Sequence, residues 1–195
     1  EVPDAVVHVL AGRTGRWKGI IAHHSWIVVK PRGASRYTRY EVVGWGRPLR
    51  TDAYAPDGRW YGSTPEILLT LQGEAAERAI PRIREAVASY AHAGPGTYVL
   101  WPGPNSNTFV ALVARSVPEL APALLPTALG KDFAGWPLYV GTTPSATGAQ
   151  VSAGGLLGLS IGWVEGIEVN LLCLVAGIDV RRPALPVRVA ELRRR

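Results

Sequence analysis

IIAHHSWIVVKPRGASRYTRYEVV, residues 20–43, sets the fold class. Ile20 to Val29 is rich in β-branched and aromatic side chains and reads as a strand, Pro31-Arg32-Gly33 supplies a turn, and Tyr37 to Val43 reads as a strand running back alongside. A connection this short cannot cross over a sheet, so the pair is antiparallel. Val6 to Leu10 adds an earlier strand of the same kind. Alternation along Ile20 to Val29 places His24 with Trp26 and Val28, and His23 with Ser25 and Ile27 on the opposite face. Only one of the two histidines can then face a given site.

Beyond Val43 the stretch Arg47 to Ser63, with Pro48, Pro56, Asp57 and Gly58, reads as a long exposed loop with an aromatic tip at Trp60 and Tyr61. Loops of that length often carry function. From Glu74 to His92, Ala79, Ile80, Ile83 and Val87 fall on one helical face, with Pro81 kinking the helix or starting its main segment. A second helix is predicted from Ser106 to Arg115, stopped before Pro118. The apolar stretch Val151 to Val180 is broken by Glu165, Glu168 and Asn170 into pieces too short to span a bilayer. It reads as two buried core strands, Leu156 to Val164 and Ile167 to Val175, joined near Gly166. The expectation is an α+β fold: an antiparallel sheet packed with helices, in one domain over 1–180 with a basic tail over 181–195.

The composition agrees with a globular chain of 195 residues: 47% hydrophobic, 18% charged, and 22 Gly with 16 Pro calling for many turns. The single Cys173 excludes an internal disulfide, and its apolar neighbours Leu171, Leu172, Leu174 and Val175 predict a buried, inert thiol. Much of the net charge of +6 sits late, at Arg181, Arg182, Arg188 and Arg193 to Arg195. Such a tail is ordinarily a solvated one, and its natural partner would be an anionic membrane surface. Nucleic acid is disfavoured, because no aromatic stacking motif or recognition helix accompanies the arginines. The chain opens at Glu1 and has no Met, so a removed N-terminal signal or anchor is expected.

Three motifs fail on context. Gly158-Leu159-Ser160-Ile161-Gly162 has the letters of a nucleophile elbow, but no His follows His92 to complete that triad. Gly154, Gly155 and Gly158 lack the strand, helix and spacing of a phosphate cradle, so no cofactor is expected. His23 and His24 point apart, so no metal site is expected either. A fourth pairing survives. Ser106, in Asn105-Ser106-Asn107-Thr108-Phe109-Val110, opens a helix whose free amides could receive an oxyanion. A serine there still needs a base, and His24 could serve. The commoner role of Ser or Asn at a helix start is a cap. Asn105 and Asn107 could cap, bind a ligand carbonyl or assist an oxyanion, and the sequence leaves all three open.

Asn105-Ser106-Asn107-Thr108-Phe109-Val110 resembles the Asn-Cys-x-x-Phe-Val helix start of circularly permuted papain-like proteins, the lecithin retinol acyltransferase relatives and permuted NlpC-type hydrolases. His24-Ser25-Trp26-Ile27-Val28-Val29 is similar to their histidine strand, and Glu41 in Tyr40-Glu41-Val42-Val43-Gly44 matches their orienting residue. The resemblance implies a permuted papain-like architecture with His24, Ser106 and Glu41 as catalytic residues, Ser standing where that pattern has Cys. Over most of its length the chain resembles a bacterial family known as domain of unknown function 3750. That resemblance rests on 23–27, on 40–46, on Trp101-Pro102-Gly103-Pro104 with the helix start after it, and on 162–170.

Two functions from different classes follow. One is a cell-envelope or periplasmic hydrolase or acyltransferase acting on an amide or ester. The other is a non-catalytic binding or scaffold domain holding a small-molecule, peptide or lipid ligand with Asn105, Asn107, Trp60, Tyr61 and Trp101. They separate on whether the His24 ring comes within reach of Ser106.

Overall fold

The computed structural model describes residues 4–15 and 23–178. The expected start of the His24 strand at Ile20 and the basic tail over 181–195 lie outside them. The fold is α+β, built from two five-stranded antiparallel sheets and a few helices.

The first sheet holds β1 (Val6–Arg13), β2 (His23–Lys30), β3 (Thr38–Val42), β4 (Leu49–Thr51) and β5 (Glu66–Gln72) in the order β4-β3-β2-β1-β5. β2 runs antiparallel to β1, with Leu10 opposite Trp26, and to β3, with Ile27 opposite Tyr40, as the short connections require. β4 lies within the stretch expected to be all loop, and β5 is an edge strand not expected from the sequence.

One face of this sheet presents Val7, Val9, Ile27, Val29, Tyr40 and Val42 to α1 (Glu74–Ala88) and α2 (Ser106–Ser116). Ala79, Ile80, Ile83 and Val87 of α1 are all buried there, and Pro81 lies within that helix. Phe109, Val110 and Val113 of α2 complete the core, and a 3-10 turn, Pro118–Ala123, follows. The opposite face carries a smaller cluster, Leu10, Trp26, Val28, Val43 and Trp60. His24 shares that second face, and Ser25 the first.

The second sheet is a meander, β6 (Tyr139–Thr142), β7 (Gly148–Ala153), β8 (Leu157–Gly162), β9 (Gly166–Leu171) and β10 (Leu174–Ile178). The late apolar stretch is thus strand, as expected, but it breaks at Leu172-Cys173, where φ is +53° and +67°, and forms three strands. It is also turned the other way. Leu157, Leu159, Ile161, Ile167 and Val169 are exposed, while Gln150, Ser152, Ser160 and Asn170 are buried. The inward face meets polar groups: Gln150 Nε2 donates to Asp132, Ser152 Oγ to the Asp132 carbonyl, and Lys131 Nζ to Glu168 at 2.6 Å. Small polar side chains and glycines fit that surface, and aliphatic ones would leave its donors and acceptors unpaired. Ser160 is accordingly a buried strand residue. Cys173 is buried, and burial pushes its thiol up to about 11.

Candidate functional site

α2 begins where β2 begins, and Asn107 is the joint between them. Its Oδ1 accepts from Ser25 Oγ at 2.6 Å, and its Nδ2 donates to the carbonyls of His23 and Leu129. Asn105 is the N-cap: its Oδ1 accepts from the backbone N–H of Asn107 and Thr108, and its Nδ2 donates to the carbonyls of Leu100 and Leu129. Both amides are therefore engaged by the protein. Ser106, between them, does not cap. Among the described residues its hydroxyl makes no hydrogen bond, and with Asn107 and Thr108 capped, its own N–H is an open donor at this helix end.

Across from it the buried charges form a chain. Arg39 Nη2 donates to Glu41 Oε2 at 2.7 Å, and the same oxygen lies 3.0 Å from His24 Nε2. Arg39 and Glu41 stand two residues apart on β3 and so share a face, whereas Tyr40 packs into the core on the other. All three members are almost fully buried. Burial draws the Glu41 carboxyl upward, but the hydrogen bonds from His24 and Arg39 and the guanidinium charge outweigh it and hold it below the ordinary value. Burial pushes the His24 imidazole down, Arg39 adds to that, and Glu41 offsets only part of it. His24 is thus neutral at pH 7, its Nε2–H donating to the carboxylate and its Nδ1 lone pair free.

The 47–63 loop closes over this chain. Arg39 Nη1 donates to the Ala55 carbonyl, Trp26 Nε1 to the Pro56 carbonyl, and the Arg39 backbone N–H to Asp52. Trp60, expected at an exposed tip, is instead buried and stacks on the His24 ring at 3.7 Å between centroids. Tyr61 remains exposed.

A cleft of about 850 Å³ runs between these parts. His24, Asn105, Ser106, Asn107, Trp60, Tyr61 and Trp101 all border it, and Glu41 stands behind His24. His23 borders it too, at the first position of β2. No hydrogen bond joins Ser106 Oγ to His24. Arg39, Trp45 and Tyr98 are members that the sequence reading passed over; Trp45 and Tyr98 line the cleft. The signal for Arg39 was present, because a residue two before Glu41 on a strand must share its face.

Fold and site together define an α+β protein in which a buried Arg-Glu-His chain ends at an aromatic cleft beside a helix N-terminus. The chain belongs to the family described as Protein of unknown function (DUF3750), whose sequence profile matches residues 4–133. That span holds the first sheet, both helices and every residue of the Arg-Glu-His chain, and it stops before the second sheet. No curated protein and no solved structure matches the chain.

Proposed function

We propose that the cleft is an acyl-transfer site, hydrolase or acyltransferase, acting on an amide or ester, with Ser106 as nucleophile and His24 as base. The observation that carries this reading is the buried Arg39-Glu41-His24 chain, which ends in a neutral imidazole at a cleft that also holds an uncommitted serine hydroxyl. Burying a guanidinium and a carboxylate costs several kcal/mol per ion before pairing, by order of magnitude, and well-packed apolar residues would often serve stability as well. Orienting an imidazole and fixing its tautomer is what such a chain accomplishes beyond stability. The likeness of the helix start and histidine strand to permuted papain-like proteins supports the same assignment and that architecture.

The chemistry is that of a serine acyl-enzyme. Ser106 Oγ attacks the carbonyl carbon as its proton passes to His24 Nδ1. The oxyanion that forms takes the Ser106 N–H, the donor left open by the cap. Collapse breaks the bond to the amine or alcohol, which departs with the proton from His24. Water or an acceptor alcohol then attacks the acyl carbon as its proton passes to the same base, and the acyl–oxygen bond to Ser106 breaks as His24 returns that proton to Ser106 Oγ, freeing the acyl product. Because Ser106 and His24 are not hydrogen-bonded to each other, attack requires the two to come within hydrogen-bond reach when substrate fills the cleft.

That same separation favours one other reading, a binding domain in which the aromatic walls hold a ligand and no bond is broken. A fluorophosphonate probe decides between them. Acyl transfer predicts labelling of the wild type that is lost in Ser106→Ala and much reduced in His24→Gln. Absence of wild-type labelling, with Ser106→Cys also unreactive toward iodoacetamide, would leave only the binding reading.

A further inference from the structure

We infer that the outer face of the second sheet docks on the surface of a lipid bilayer. This stands independently of the chemistry assigned to the cleft. On that face Val151, Leu159 and Val169 form a row across β7, β8 and β9, and Ile161 opposite Ile167 forms the next. Each of these side chains is exposed, by 43% for Leu159 up to 53% for Val169 and Ile161. The rows continue onto β6 through Val140 and onto β10 through Ile178. No outward strand position carries a charge, and Thr142 is the one hydroxyl. A face of five strands of this kind is larger than the roughly 300–600 Å² that a monomer's greatest apolar patch usually covers.

The occupant follows from what the face lacks and what borders it. A specific protein partner needs directional contacts, about one hydrogen bond per 100–200 Å², to fix its register. This face offers almost none, and lipid tails require none. Its polarity, aliphatic outward and polar inward, is that of lipid-facing sheets. Exposed tryptophans stand at both ends of the strands, as they do at membrane interfaces: Trp163 in the β8–β9 turn, and at the other end Trp136 beside Gly154 and Trp101 bonded to the Leu172 carbonyl. Beyond β10 the sequence goes on to Arg181, Arg182, Arg188 and Arg193 to Arg195, charges complementary to anionic headgroups.

The sheet lies on the membrane and does not span it. Spanning strands need about 9–11 residues, and β8 and β9 have 6 each. Trp101 also lines the cleft, so docking would set the cleft mouth beside the lipid.

The test uses the full chain with phosphatidylcholine vesicles, with and without phosphatidylglycerol. The wild type should sediment with both, more tightly with the anionic vesicles, and dibrominated lipid should quench its tryptophan fluorescence. Leu159→Glu/Val169→Glu, placed at exposed positions, should weaken binding to neutral vesicles about tenfold or more while the melting temperature holds, since only the apolar face can act there. Should that variant fail to fold, Trp163→Phe must still lower the quenching. Failure of the wild type to bind neutral vesicles overturns the inference, as does binding to anionic vesicles alone, which would assign it to the arginines. A stable wild-type dimer that the double variant dissociates, without vesicle binding, would give the face to a second copy.

Discussion

Arg39 is the residue on which the buried chain depends for its charge balance. Arg39→Met removes the cation and leaves the Glu41 carboxylate with a neutral imidazole as its donor. Breaking a buried pair on one side costs about 3–5 kcal/mol, so the urea midpoint should fall sharply. Ser106→Ala, 4% exposed and without a hydrogen bond to lose, should stay within about 0.5 kcal/mol of wild type. The contrast matters because it separates a residue kept for stability from one whose hydroxyl the fold does not use. The chain should also make stability depend on pH. His24 and Glu41 both have folded values below their ordinary ones, 6.5 and 4.5, so the unfolded chain takes up protons first as pH falls. The stability these two groups contribute is therefore fully present above about 6.5, declines as pH drops below it, and declines again below about 4.5. His8, His23 and His92 are lowered by burial as well and share the upper limb. Glu41→Gln should remove much of its share of the lower limb, read as melting temperature at a series of pH values. Labelling by fluorophosphonate should follow the neutral form of His24 and persist to more acidic pH than an ordinary histidine would allow.

At the scale of elements, the start of α2 is held by two asparagines with different tasks. Asn105→Ala deletes a cap, worth about 1 kcal/mol, together with the ties to Leu100 and Leu129. Asn107→Ala takes their side-chain partner from the Ser25 hydroxyl and the His23 carbonyl, at about 1–3 kcal/mol for each group left buried and unpaired, while the Leu129 carbonyl keeps its bond from Asn105 Nδ2. Denaturant titration should therefore rank Asn107→Ala as at least as damaging as Asn105→Ala, with both well below Ser106→Ala in stability. These elements were also the legible ones. β1, β2 and β3, buried on both faces, declared themselves as short runs of β-branched and aromatic residues bounded by turns, α1 by the 3.6 period of one-sided burial, and α2 by its polar start and the stop before Pro118. β5 did not: Glu66 to Gln72 is an edge strand whose apolar residues show no clean alternation, and its pairing with β1 comes from tertiary context. For the site, strand parity singled out His24 and the helix start singled out Ser106, while Glu41 entered only through the resemblance to permuted papain-like proteins. Trp60 was misplaced at an exposed tip, because nothing local announces that the 47–63 loop is pulled inward by Arg39 and Trp26.

At the scale of the whole molecule, the sequence predicts strands over Leu156 to Val164 and Ile167 to Val175, but a period of two does not say which face is inside. The usual assumption puts the aliphatic side inward, and here a polar seam reverses it. Arg115, in the last turn of α2, is the hinge pin of that seam. It donates to Tyr139 Oη at 2.8 Å and to the Thr142 carbonyl, bonds Gln150 Oε1, and stacks its guanidinium 4.4 Å from the Tyr139 ring centroid. One side chain thus reaches β6, its end and β7, while the first sheet lies on the other side of its helix. Arg115→Leu keeps much of the apolar stem but deletes these bonds and strands the Gln150 carbonyl oxygen in a buried position. The expected consequence is local. Amide hydrogen exchange should accelerate across β6 and β7, whose pairing register runs from Tyr139 opposite Ser152 to Thr142 opposite Ala149. β1, β2 and β3, held by their own core, should keep their protection. Uniform loss of protection across both sheets would instead mean that the two unfold as one unit and that Arg115 supports the entire chain.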